Sequence, residues 1–183
     1  MANRTGTYIA FDGQGKTNPT ESDFRYYSTI QAWSAGKSID FKFVNSHDKT
    51  AAVRDTSLRS TLEFRIRERL AASKNCIVIL SDDTRKSGSM LSYEIEKAVD
   101  DYKIPLICVY VGYQKINTPS QRSSRWPSAL TTRIYAGTAD AIHVPLKKDI
   151  LLTAINQFSV NGSSPGGSLV TYTNEAQEKM NSK

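Results

Sequence analysis

The sequence predicts an α/β domain built on an open parallel sheet. Short apolar runs alternate with stretches whose apolar residues recur at helical spacing, which is the pattern of strands joined by covering helices. Two of the runs, at 76–80 and 104–111, are continuously apolar, as in strands covered on both faces. The length, 183 residues, suits one domain that hides roughly 70 % of its unfolded surface.

Residues 7–11 (TYIAF) form the first short strand. Asn18, Pro19 and Glu21 then read as a helix start, with Asn18 as N-cap and Pro19 at the first helical position. That helix carries Phe24, Tyr27, Ile30 and Trp33 and stops at Gly36. Residues 39–44 (IDFKFV) alternate apolar with polar, which predicts a half-buried edge strand. Leu58, Leu62, Ile66 and Leu70 recur every four residues, with Arg and Glu on the other face, and predict the next helix. The run at 76–80 is the third strand. A polar loop, SDDTRKSGS, leads into a helix with Leu91, Ile95, Val99 and Tyr102 on one stripe. The fourth strand is 104–111, and a long polar segment follows with one short helix after Trp126 and Pro127. Residues 141–144 make the last strand, and Ile150, Leu151, Ala154, Ile155 and Phe158 mark the last covering helix.

Five parallel strands alternating with helices predict a flavodoxin-like three-layer sandwich with strand order 2-1-3-4-5. The domain is expected to span 1–160. Residues 161–183, opening with NGSSPGGS, are expected to form a flexible or loosely packed C-terminal tail.

Composition narrows the function. The net charge of +6 permits an anionic partner. The basic residues are scattered, and Arg65, Arg67 and Arg69 alternate with Glu63 and Glu68, so nucleic-acid binding is not expected. No window approaches a membrane span. The start, MANRTGTYIAFDG, lacks the long apolar stretch of a secretory signal, so a cytoplasmic location is expected. Cys76 and Cys108 lie inside apolar runs and read as reduced core thiols; neither has the spacing of a zinc site.

In a sheet of this kind a ligand sits at the carboxyl ends of the strands. That selects the loops 12–18, 45–50, 81–89 and the segment from Gly112 onward. The first loop contains Gly15-Lys16-Thr17, but a phosphate-binding loop needs glycine where Ala10 stands and a helix opening at the Lys-Thr. With only two histidines, His47 and His143, and no metal-ligand spacing, no metal is expected and carboxylate chemistry remains. The candidates are Asp12, Asp82, Asp83, Glu94 and Glu96. Glu94 stands at the border of a buried stripe near the start of its helix. It is placed to pair with Lys97, to favour the helix N-terminus, or to act in a site.

The segment 75–98, an apolar strand followed by Ser81, Thr84, Ser87 and then Tyr93-Glu94-Ile95 and Ala98, resembles the TIR-like family that includes the ThsB proteins of the Thoeris antiphage system. The resemblance extends over roughly 7–158, through Phe11 and the Phe-Val-Asn-Ser-His segment at 43–47, with Tyr93 where tryptophan is frequent. It implies a TIR-like sandwich that cleaves NAD+ as a substrate, without a separate cofactor. It also implies release of nicotinamide and a cyclic ADP-ribose-type signal, which reaches an effector protein as a diffusible nucleotide. Self-association of TIR-like domains is a further implication. Glu94 would be catalytic, Phe11 would stack on a base or nicotinamide, and Asp12, Asn45, His47, Ser81, Thr84 and Tyr93 would contact the substrate. A non-catalytic interaction or nucleotide-binding module, and a phosphate-loop enzyme dependent on Lys16, are the alternatives.

Overall fold

The computed structural model describes residues 4–16, 18, 20–36 and 59–182. Strands β1 (Gly6–Ala10), β2 (Ser73–Leu80), β3 (Leu106–Tyr110) and β4 (Ala141–Pro145) pair in parallel, and a short β5 (Val170–Thr171) adds to the edge of β4. The helices are α1 (Phe24–Ser34), α2 (Arg59–Ala71), α3 (Met90–Glu96), α4 (Ser128–Tyr135), α5 (Lys148–Gln157) and α6 (Asn174–Asn181). A π-helical turn, Lys97–Asp101, prolongs α3, and a 3-10 helix, Pro119–Arg125, precedes α4.

Successive side chains of a strand point to opposite faces. Tyr8, Ala10, Cys76, Val78, Leu80, Leu106, Cys108 and Tyr110 therefore meet one layer, with Leu70 of α2, Leu91 and Ile95 of α3, and Leu130 of α4. Ile9, Phe11, Ile77, Ile79, Ile107, Val109, Ile142 and Val144 meet the other layer, with Ile30 of α1 and Leu151 and Ile155 of α5. The continuous apolar runs are thus explained: both faces of the central strands are covered. Cys76 and Cys108 are free thiols buried in the first layer.

The expected strand order 2-1-3-4-5 is corrected. The five strands among the described residues lie in chain order, β1-β2-β3-β4-β5. The expected strand at 39–44 lies outside the described residues. The fifth described strand comes from the segment after 160, where Val170 and Thr171 pair with Ile142 and His143. The same segment supplies α6, which is fastened by Gln177. Gln177 is buried and trades hydrogen bonds with both backbone groups of Ile116, while its amide also donates to Asn117 Oδ1 and to the carbonyl of Tyr172.

The start of α1 also differs from expectation. Asn18 Oδ1 accepts from the amide and hydroxyl of Thr20, closing a local turn, and Ser22 has φ of 52°, so the helix begins only at Phe24. Lys16 therefore does not open a helix, and the amide cradle of a phosphate-binding loop is not formed there.

Under β4, Trp126 Nε1–H donates to Tyr110 Oη at 2.7 Å, and Tyr110 Oη lies 2.8 Å from His143 Nδ1. His143 Nε2 lies 2.8 Å from the Ser168 carbonyl, which can only accept. The ring is thus protonated at Nε2, and Nδ1 accepts a hydrogen bond from the Tyr110 hydroxyl. Burial holds His143 neutral, with its pKa pushed down to about 4.

Candidate active site

The carboxyl ends of β1 and β2 carry two polar clusters joined by Asp12. The first centres on Glu94. Its position on α3 turns it inward beside Leu91 and Ile95, so that only 2 % of it is exposed. Tyr8, from the middle of β1, donates its hydroxyl to Glu94 Oε1 at 2.5 Å. Burial pushes the carboxyl up to about 8. The Tyr8 hydrogen bond pulls it down, the Asp12 charge adds to the rise, and Arg69 opposes it. Glu94 does not pair with Lys97, which instead bridges Glu96 and Asp101.

Asp12 is also buried. Arg85 holds it with both arms, Nε on Oδ2 and Nη2 on Oδ1 at 2.8 Å each, and the backbone amides of Arg85 and Gln14 donate at 3.0 Å. Burial alone would raise its pKa, but these donors hold it below the ordinary range. Gln14 reaches further and donates to the Asp83 carbonyl. The loop after β1 and the loop after β2 are thereby tied together.

The second cluster centres on Asp23, which sequence reasoning missed. It stands just before α1, where an acid ordinarily caps the helix, yet its carboxylate makes no cap bond. It points across to the loop after β2 instead. Ser81 donates a short hydrogen bond to Oδ1, and Thr84 donates to Oδ2 at 3.1 Å while its hydroxyl accepts from the Ser81 amide. Burial pushes Asp23 up to about 6, against these two hydrogen bonds and with added repulsion from Asp12 and Asp83. An acid just ahead of an apolar helical stripe is the signal that was available. Its partners lie 58 and 61 residues away, beyond any local pattern.

Of the expected site residues, Glu94, Asp12, Ser81 and Thr84 gather within these two linked clusters. Phe11 faces the opposite layer from Glu94: it stacks on Tyr27 with ring centroids 5.0 Å apart and meets Phe24 edge-on. Tyr93 sits outside on α3, where its hydroxyl accepts from Arg67 Nε at 2.8 Å and Lys97 lies over its ring. Asn45 and His47 lie outside the described residues. Among the described residues no group of three or more His, Cys, Asp or Glu is placed to hold a metal ion.

Five described parallel strands covered on both faces, with a buried glutamate on the helix after the second of them, make an α/β sandwich of the TIR type. The family described as Thoeris protein ThsB, TIR-like domain, matches residues 8–116, more than half of the chain, and the protein belongs to that family. The match includes Tyr8, Asp12, Asp23, Ser81, Thr84 and Glu94. No helix among the described residues is long and apolar enough to cross a membrane.

Proposed function

We propose that this protein cleaves NAD+ at the nicotinamide–ribose bond. It then closes the ADP-ribose part into a cyclic ADP-ribose-type signal that activates a partner effector in antiphage defence. The observation that carries this reading is Glu94, an inward-facing carboxyl beneath the strand ends of a member of the ThsB TIR-like family. When the glycosidic bond breaks, its electron pair goes to the pyridinium nitrogen, so nicotinamide leaves neutral and needs no general acid. The positive charge develops on the ribose, and one ionised carboxylate in a dry site stabilises it strongly. Capture of that cation by a nucleophile within the same ADP-ribose gives the cyclic product, whereas capture by water gives the linear one.

Glu94 takes the stabilising role once ionised, and Asp12, Ser81, Thr84 and Tyr93 border the substrate, with Asn45 and His47 as further contacts. Phe11 stacks on a base or nicotinamide only after α1 releases its ring from Tyr27 and Phe24. NAD+ is the substrate and no separate cofactor is required. The location is cytoplasmic, and TIR-like domains associate with one another to complete or trigger the site.

Complete burial of Glu94 favours a second reading, a non-catalytic interaction or nucleotide-binding module. The two separate in one experiment: the protein is incubated with NAD+, with and without lysate of phage-infected cells, and nicotinamide is followed by mass spectrometry. Nicotinamide together with a mass isomeric with cyclic ADP-ribose, both absent for Glu94→Gln, is the expected result. No release under any condition from folded protein selects the module.

A further inference from the structure

A cleft opens at the carboxyl ends of β2 and β3, with a volume of about 560 Å3. Its walls include Arg25, Tyr26, Ser81, Tyr113 and Arg125 together with Asp82 and Asp83, whose carboxylates pair with Arg125 and Arg25, and Glu94 does not line it. Tyrosine rings and guanidinium planes alternate here. Arg25 Cζ lies 4.7 Å from the centre of the Tyr26 ring, and Arg122 and Arg125 Cζ lie 4.5 and 4.8 Å from that of Tyr113. Arg125 is fixed in place, its side chain only 11 % exposed. It donates to the Val111 carbonyl at 2.6 Å and meets Asp82 at 2.5 Å, with further N–H groups to spare.

Arg122, which stacks on Tyr113 of the cleft, also lines a polar recess of about 200 Å3 with Lys115 and Gln121 among others. Lys115 is paired with Glu178, whereas no acidic side chain among the described residues pairs with Arg122. Tyrosine rings in the cleft next to a guanidinium with no acidic partner match the two halves of a nucleotide: ring stacking for the base, a planar cation for the phosphate. The loop from Gly112 is pre-organised. Gly112 turns the chain with φ of 83°, and α6 clamps the loop through Gln177 on Ile116 and Asn181 on the Gln114 carbonyl. Ordering such a loop before the ligand arrives removes part of the cost of binding.

We propose that this cleft, which adjoins the candidate site through Ser81 but does not include Glu94, is a second ligand site that takes a nucleoside monophosphate with its base on Tyr26 and Tyr113 and its phosphate on Arg122. The site stands independently of whether NAD+ is cleaved.

The test is a titration of the full chain with AMP, adenosine and inorganic phosphate, followed by backbone amide NMR. AMP is expected to bind saturably and to move the amides of Gly112, Tyr113 and Arg122. Tyr113→Ala is expected to weaken AMP and adenosine alike by roughly tenfold, the scale of one lost base–aromatic stack. The half-exposed Arg122→Gln, which removes no core packing, should weaken AMP to the level of adenosine and leave adenosine unchanged. The proposal is overturned if millimolar AMP gives no saturable shift, if the shifts gather around Tyr93 and Glu94 instead, or if both variants, folded by their amide spectra, bind AMP as the parent does.

Discussion

At Glu94 the folded chain holds a proton that the unfolded chain gives up at neutral pH. Its pKa is pushed to about 8 by burial, and an exposed glutamate titrates near ~4.3. Its contribution to stability is therefore fully present below the unfolded value and is lost as pH rises through about 8. Glutamine is neutral throughout, so Glu94→Gln should be more stable than the parent by an amount that grows between these limits, on the order of a few kcal/mol at its largest. Urea unfolding of both proteins at pH 5 and pH 8.5 checks this; equal stabilities at both would contradict it. Stabilisation of the charge on the ribose needs the ionised form, so nicotinamide release should climb as pH rises through about 8. The groups that set this value are Tyr8, Asp12 and Arg69, and Tyr8→Phe, which removes a donor to the carboxylate, should move the rise to higher pH.

The loops behave as elements tied by single polar side chains. Arg85→Ala takes away both side-chain donors to buried Asp12 and leaves the amides of Gln14 and Arg85. Arg85 is nearly half exposed, so water offsets part of the loss, and a cost of about 1–2 kcal/mol is expected. Asp12 has a depressed pKa, so this contribution is present above the ordinary carboxylate range and disappears in acid as Asp12 is protonated. Thermal melts of the variant should thus converge with the parent at low pH. Gln177→Leu strands the Ile116 amide and carbonyl in a buried setting, and a loss of about 1–3 kcal/mol is expected. Faster hydrogen exchange confined to the loop from Gly112 to Thr118 would place that loss correctly.

Over the whole molecule, the sequence was most readable where burial is most complete. β2 and β3 announce themselves because a strand covered on both faces has no reason to alternate, and the stripe of α5 is buried as its spacing implies. The expected strand order counted residues 39–44, which lie outside the described residues, and left out β5, which is only two residues long in a stretch rich in glycine and serine and has nothing local to mark it. Its pairing is decided by the exposed edge of β4. The opening of α1 was misread for a different reason: Asn18 and Pro19 suit a turn as well as a cap. Within the site, Glu94 was legible as a polar residue intruding on an apolar stripe. The partnership of Asp23 with Ser81 and Thr84, and that of Phe11 with Tyr27, depend on how the layers stack. A chain shortened at residue 168 would lose β5, α6 and the Gln177 clamp together, and it should melt well below the full chain by calorimetry.

The two tryptophans are divided between the layers. Trp33, on α1, packs beside the layer that holds Phe11, while Trp126, wholly buried, donates its indole hydrogen to Tyr110 on the opposite side of the sheet. The molecule thus contains two separable light sources, one for each covering of the sheet. A quencher dissolved in the solvent should dim the first and spare the second. Loosening of α1 to free Phe11 would change the emission of Trp33 while that of Trp126 stays constant, so opening of the candidate site can be watched without a label.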